Sequence, residues 1–259
     1  MVMLSWLQRL ELRRRLHVAL LAAIVPAAIL AVRLTIHGFA GSVVRDWLPV
    51  PLLLIPYWQA GQFFAEPSKK IELWLAEIDQ RVLRRFGTVF GYHALPQWAV
   101  RYFETVYLLC YPLVPIGLGA LYLGHHRAEA DFYWVVVVLA SDVCFFATVF
   151  LPALPPRLLP DRQEGTGAPT NNVRRLNLSI LNRGSIQAIT FPSAHVASTT
   201  AVALVLALLM PATGALFLAI AASIAIGAFL GRYHYFMDVA AGGAEALAVF
   251  LVCLWTIRR

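Results

Sequence analysis

Apolar stretches of about twenty residues, almost free of charge, recur along the whole chain, and a helix needs about that length to cross a bilayer. Residues 16–36 form the first, preceded by Arg13, Arg14 and Arg15. This run is longer than the apolar core of a secretory signal and no small-residue cleavage site follows it, so it is expected to be retained. Further runs follow at 98–123, 132–151, 212–230 and 238–257, with a shorter one at 195–210. Residues 47–65 are long enough to span, but Pro49, Pro51 and Pro56 kink them, which leaves the segment either crossing or re-entrant. Composition agrees: 60% of the 259 residues are hydrophobic and 14% charged, against roughly 45–50% and a quarter in a soluble domain. No water-soluble fold of this size hides so much apolar surface, and disorder is excluded. The expected fold is all-α, a polytopic membrane helix bundle of six or seven spans.

Two segments break the pattern. In residues 66–86, Ile71, Leu73, Trp74, Leu75, Ile78, Val82 and Leu83 alternate at helical spacing with Lys69, Lys70, Glu72, Glu77, Asp79, Arg81, Arg84 and Arg85. That pattern predicts an amphipathic helix on the membrane surface, with Trp74 near the headgroups. Residues 152–190 are polar and rich in Pro, Gly and Asn, and leave the membrane. The chain therefore reads as N-terminal membrane segments plus the interfacial helix over 1–97, then a helix bundle over 98–259 with a site-bearing loop at 152–195. Cys110, Cys144 and Cys253 stand singly in apolar runs, which argues against a disulfide framework or a zinc site. The net charge of +7 is read as anchoring and attraction to anionic lipid, not as nucleic-acid binding.

Polar residues are scarce, so their clustering carries information. Three clusters stand at membrane boundaries: LPPR at 154–157, FPSAH at 191–195 and GRYHYFMD at 231–238. The first closes a span and the second opens one. The hairpin between the second and third crosses twice, so all three fall on one face. His234 and Asp238 are four residues apart and share a helix face, where a carboxylate orients an imidazole and fixes its tautomer. His195 follows Pro192 and Ser193 at a helix start, whose unpaired N–H groups favour an anion. Arg157 and Arg232 add forked donors suited to phosphate. Together these residue types suit phosphoryl transfer without a metal or cofactor. Arg183 is a further candidate for the phosphate or head group. Glu104 and Asp142 lie inside spans, where an ionisable group is costly. They either bind a polar head group, pair with a buried cation or make structural hydrogen bonds. Gly227 and Gly231 form a small-xxx-small pair that permits close helix approach.

These motifs resemble the type-2 phosphatidic-acid phosphatase superfamily, which also contains the vanadium-dependent haloperoxidases. FPSAH is similar to its P-S-x-H signature and HYFMD to its H-x-x-x-D signature. The resemblance implies that His234 attacks phosphorus, Asp238 orients it and His195 protonates the leaving alkoxide and then activates the acceptor. It implies that Arg157, Ser193 and backbone N–H groups stabilise the pentacoordinate phosphoryl group. Two positions depart from the usual pattern: Phe150 occupies the place of a lysine and Ala228 that of an arginine, for which Arg232 is the candidate substitute. The R-x-H-Y-x-x-D pattern with P-P-R is closer to the branch of inositol-phosphorylceramide synthases and related head-group transferases.

The expected function is therefore that of an integral-membrane lipid phosphatase or phosphotransferase working through a phosphohistidine. The alternatives are a phospholipid head-group transferase and a non-catalytic lipid head-group binding or transport protein. The expected partners are a lipid phosphate or phospholipid and the bilayer, in a multi-pass protein of a bacterial inner membrane. Sidedness sets two arguments against each other. With seven spans counted, 16 of the 21 Lys and Arg share the site's face, which by the positive-inside rule is cytoplasmic. The resemblance implies a site facing away from the cytoplasm, and this second expectation is the one adopted.

Overall fold

The computed structural model describes residues 10–64, 66–90, 95–159, 171–186, 188 and 191–258. The chain divides into two compact units, Met1–Ala65 and Glu66–Arg259. Among the described residues there is helix and no strand, in keeping with an all-α membrane bundle.

The first unit holds α1 (Leu12–Thr35), α2 (Gly38–Trp47), α3 (Pro49–Leu52) and α4 (Leu54–Phe63). Nothing in α1 is buried within the protein, so its apolar surface is left for lipid. Its arginine flank does more than mark a boundary: Arg14 donates to the carbonyls of Gln62 at 3.2 Å and Phe64 at 3.0 Å, filling acceptors that the end of α4 leaves open. The prolines fall at helix starts and breaks, with Pro49 in the first turn of α3. Segment Gly38–Phe63 as a whole is long and apolar enough to cross a membrane and begins nine residues ahead of the expected 47.

The second unit holds α5 (Lys69–Phe90), α6 (Gln97–Leu108), α7 (Leu113–Leu123), α8 (Ala130–Phe150), α9 (Asn172–Gly184), α10 (Ala194–Leu209), α11 (Pro211–Leu230) and α12 (Phe236–Ile257). Helices α8, α11 and α12 qualify as spans, and α6 with α7 forms one more candidate, bent by 73°. With the two segments of the first unit this makes five, or six with the bent pair, among the described residues.

Helix α10, 16 residues long, is the most deeply packed helix of the bundle. It touches α7, α8, α11 and α12, and its Ala197, Ala201, Val202, Ala203, Val205 and Leu206 are completely or almost completely buried. Small side chains let four helices crowd one axis. A Cβ at Gly214 of α11 would lie 2.1 Å from Ala207 Cα, and one at Gly117 of α7 would lie 2.5 Å from Val202. Of the expected small-residue pair, Gly227 serves helix approach, since a Cβ there would come within 2.9 Å of the Phe103 carbonyl of α6. Gly231 lies in the turn beyond α11, against the Tyr233 ring.

Helix α5, grouped by its sequence with the N-terminal segments, belongs to this second unit. Leu75 and Ala76 are buried with Ala153 and Tyr235, flanked by Phe191 and Met237. Two of its acids reach neighbouring elements, while Glu77 pairs with Arg81 of the same helix. Glu72 accepts from the Leu154 N–H at 2.8 Å, and Asp79 accepts from the Phe236 N–H at 2.8 Å. Phe236 opens α12, whose preceding residue Tyr235 makes no side-chain cap. Asp79 thus caps α12 from another helix and places a negative charge at its N-terminus. Asp79→Ala is expected to destabilise the purified protein by about 1 kcal/mol. Thermal unfolding in detergent reads this as a lowered midpoint, and an unchanged midpoint would show that α12 needs no cap from α5.

Candidate active site

The ends of α8, α10, α11 and α12 bring the three polar clusters together. Leaving α11, the chain makes a tight turn in which the Tyr233 and His234 N–H groups both donate to the Ala228 carbonyl at 3.0 Å. Arg232, in the middle, takes a left-handed φ of 58°, a conformation uncommon for a residue with a side chain. The turn is held from outside by the 3-10 segment Pro156–Leu158: the Arg157 N–H donates to the Arg232 carbonyl at 3.2 Å, and Arg157 Nη1 to the Tyr233 carbonyl at 3.5 Å.

His234 is buried and its Nδ1 lies 2.9 Å from Oδ2 of the fully buried Asp238, in the first turn of α12. With Nδ1 engaged by the carboxylate, Nε2 is the nitrogen left to act. Burial, and behind it the positive charge of Arg157, holds the His234 ring below the usual imidazole range, so it is neutral near pH 7 and keeps the lone pair a nucleophile requires. The His195 ring meets it edge-on with centroids 5.8 Å apart. Tyr107 stacks on Tyr233 at 4.1 Å and turns its edge to His195, as does Tyr111 at 5.4 Å.

Ser193 has two structural duties. Its Oγ is the N-cap of α10, accepting from the Val196 N–H at 3.5 Å, and its N–H donates to the Asp238 carbonyl at 2.9 Å. The contact needs glycine at 242, where a Cβ would sit 2.5 Å from the Ser193 oxygen.

The structure therefore gathers His234, Asp238, His195, Ser193, Arg157 and the backbone of Arg232. Arg183 is exposed in the last turn of α9 and takes no part in these contacts. The residue of that helix that reaches the site is Arg174, in its first turn. It pairs with Glu104 at 2.7 Å and lies 5.6 Å over the Tyr233 ring. Sequence reading missed it, although an isolated carboxylate inside a span already demands a cationic or hydrogen-bonding partner. Asp142 is half-buried, with Oδ1 lacking a hydrogen-bond partner. Neither departure from the usual motifs brings a cation: Phe150 is partly exposed on α8 beside Phe146, and Ala228 is buried.

One end of this helical membrane bundle thus holds a buried histidine–carboxylate pair, a second imidazole and an arginine. The chain belongs to the PAP2 superfamily, whose profile matches residues 73–252, from α5 almost to the end of α12. That superfamily comprises phosphatases and phosphotransferases, and membership supports a phosphatase-type activity on lipid phosphoesters. Neither the curated proteins nor the solved structures provide a match to this chain. Vanadate, a phosphate analogue, is expected to raise the unfolding midpoint of the wild-type protein and not that of Arg157→Ala. An equal rise in both would remove Arg157 from the anion site.

Proposed function

We propose that the chain is an integral-membrane enzyme that acts on a lipid phosphoester through a phosphohistidine intermediate. The carrying observation is the His234–Asp238 contact at 2.9 Å, with the His195 ring edge-on to the His234 ring. His234 Nε2 attacks phosphorus, the bond from phosphorus to the leaving oxygen breaks, and His195 gives that oxygen its proton. His195 then takes a proton from the incoming water or alcohol, whose oxygen attacks phosphorus as the P–N bond breaks. Asp238 keeps the His234 tautomer fixed and stabilises the positive ring. Arg157, with Arg232, Ser193 and the N–H groups that open α10, offsets charge on the phosphoryl oxygens. A protein that only held a head group would need neither the second imidazole nor the orienting carboxylate.

Charge favours transfer of a head group from a phosphodiester. A phosphomonoester carries nearly two negative charges near neutral pH, a diester one. Phe150 and Ala228 stand where the usual pattern has cations, and the charge of Arg174 is already matched by Glu104. The cations that the three polar clusters carry are Arg157 and Arg232, a complement suited to the single charge of a diester, as in the inositol-phosphorylceramide synthase-like branch. Purified protein should be offered lipid monoesters and diesters, each with and without an alcohol acceptor, while phosphate release and head-group exchange are followed. His234→Ala is expected to lose turnover by several orders of magnitude, and Asp238→Asn to keep a weak residue of it. Near-normal turnover in His234→Ala overturns the mechanism, and phosphate release without exchange overturns the transferase reading alone.

The site is proposed to face away from the cytoplasm. Because Asp79 caps α12 beside Asp238, α5 shares the site's face, and its exposed Gln80 reports on that face. With the three buried native cysteines replaced, Gln80→Cys is expected to react with a membrane-impermeant maleimide on intact cells. Reaction only after permeabilisation would place the site in the cytoplasm.

A further inference from the structure

Glu104 is completely buried in α6, in a bundle where a lone carboxylate is expensive. Both its oxygens are engaged. Oε1 accepts from Arg174 Nη1 at 2.7 Å, and Oε2 accepts from Asn177 Nδ2 at 2.8 Å and from the Tyr233 hydroxyl at 2.6 Å. Asn177 also donates to the Glu104 carbonyl at 3.0 Å, so two residues of α9 are fastened to one point of α6. Arg174 donates onward to the Gly231 carbonyl, at 3.3 Å from Nη1 and 3.4 Å from Nη2. The two arms of this network end on Gly231 and Tyr233. Those residues flank Arg232, whose φ of 58° is the uncommon feature of the turn, and Tyr233 is joined directly to His234.

We propose that Glu104 and Arg174 are positioning residues for the nucleophile: through Gly231 and the Tyr233 hydroxyl they hold the turn in its left-handed form and set the His234 imidazole against the phosphate. The inference rests on the histidine chemistry proposed above. A left-handed residue with a side chain persists only where its surroundings hold it on several sides. Arg157 grips the carbonyls of Arg232 and Tyr233, and Glu104 with Arg174 grips the residues on either side of Arg232. Tyr233 also stacks on Tyr107, one turn beyond Glu104, and Tyr107 turns its edge to His195, so both imidazoles are referred to the same stretch of α6.

The test measures kcat, KM and unfolding midpoint on the purified full chain, with His234→Ala in the same series. Tyr233→Phe keeps the stacked ring and removes one hydroxyl. It is expected to lower kcat about tenfold with KM and midpoint near wild type, the signature of a misplaced reacting group. Glu104→Gln strands the Arg174 charge and is expected to lower kcat about a hundredfold together with the midpoint. Glu104→Gln with Arg174→Gln restores a neutral pair, and is expected to recover the midpoint and part of kcat with an unaltered pH profile. Wild-type kcat in Tyr233→Phe, beside an inactive His234→Ala, overturns the positioning role while leaving the histidine mechanism standing. A folded double variant no faster than Glu104→Gln, with a displaced pH profile, would instead make Glu104 a participant in proton transfer and overturn the assignment. Full turnover in His234→Ala defeats the underlying mechanism itself.

Discussion

The backbone hydrogen bond from the Ser193 N–H to the Asp238 carbonyl, 2.9 Å long, joins the start of α10 to the start of α12, and the site depends on it. His195 lies two residues beyond one partner, and the side chain of the other holds His234. The contact forms because residue 242 has no Cβ to strike the Ser193 oxygen. Behind it stands the packing of α10, whose small buried residues let α7, α8, α11 and α12 close around a single axis. His195 and Asp238 are therefore positioned by the starts of two packed helices, and His234 by the tight turn between α11 and α12.

A second constraint comes from the medium. An unpaired buried polar group costs about 1–3 kcal/mol, and more for a charge, so matching such groups near the bundle interior stabilises the fold. Two helices of mixed polarity do much of that matching. Helix α5 brings Glu72 to the Leu154 N–H and Asp79 to the first N–H of α12. Helix α9 brings Arg174 and Asn177 to Glu104. Elements that read as surface material thus brace the polar turns from outside the core. Removing one partner of the Glu104–Arg174 pair would strand a buried charge at about 3–5 kcal/mol, whereas replacing both costs far less.

Electrostatics sorts the arginines into two groups. Arg174 is charge-matched by Glu104, and its remaining donors reach a carbonyl. Arg157 serves the turn through its backbone N–H and one guanidinium nitrogen, and its charge is felt at His234, which burial also keeps neutral.

The all-helical membrane bundle was legible in the sequence, since runs of about twenty apolar residues leave a chain no other way to satisfy its backbone in lipid. The grouping of LPPR, FPSAH and GRYHYFMD at one end was legible too, from counting crossings, and so was the His234–Asp238 pair, whose four-residue spacing is a local property of a helix. The start of Gly38–Phe63 was placed late because Gly38, Gly41, Arg45 and Asp46 interrupt the apolar run, although helix continues through them. Helix α5 showed its amphipathic period plainly, yet not its grip on α12, where Asp79 and Phe236 are 157 residues apart. Arg174 and Glu104, 70 apart, were likewise invisible as a pair, and Arg183 stood in for the arginine that reaches the site. Periodicity and polarity are written along the chain and report which face of a helix is buried. Which buried group meets which is decided only when helices pack, because the contact depends on the rotation, tilt and depth of two elements at once.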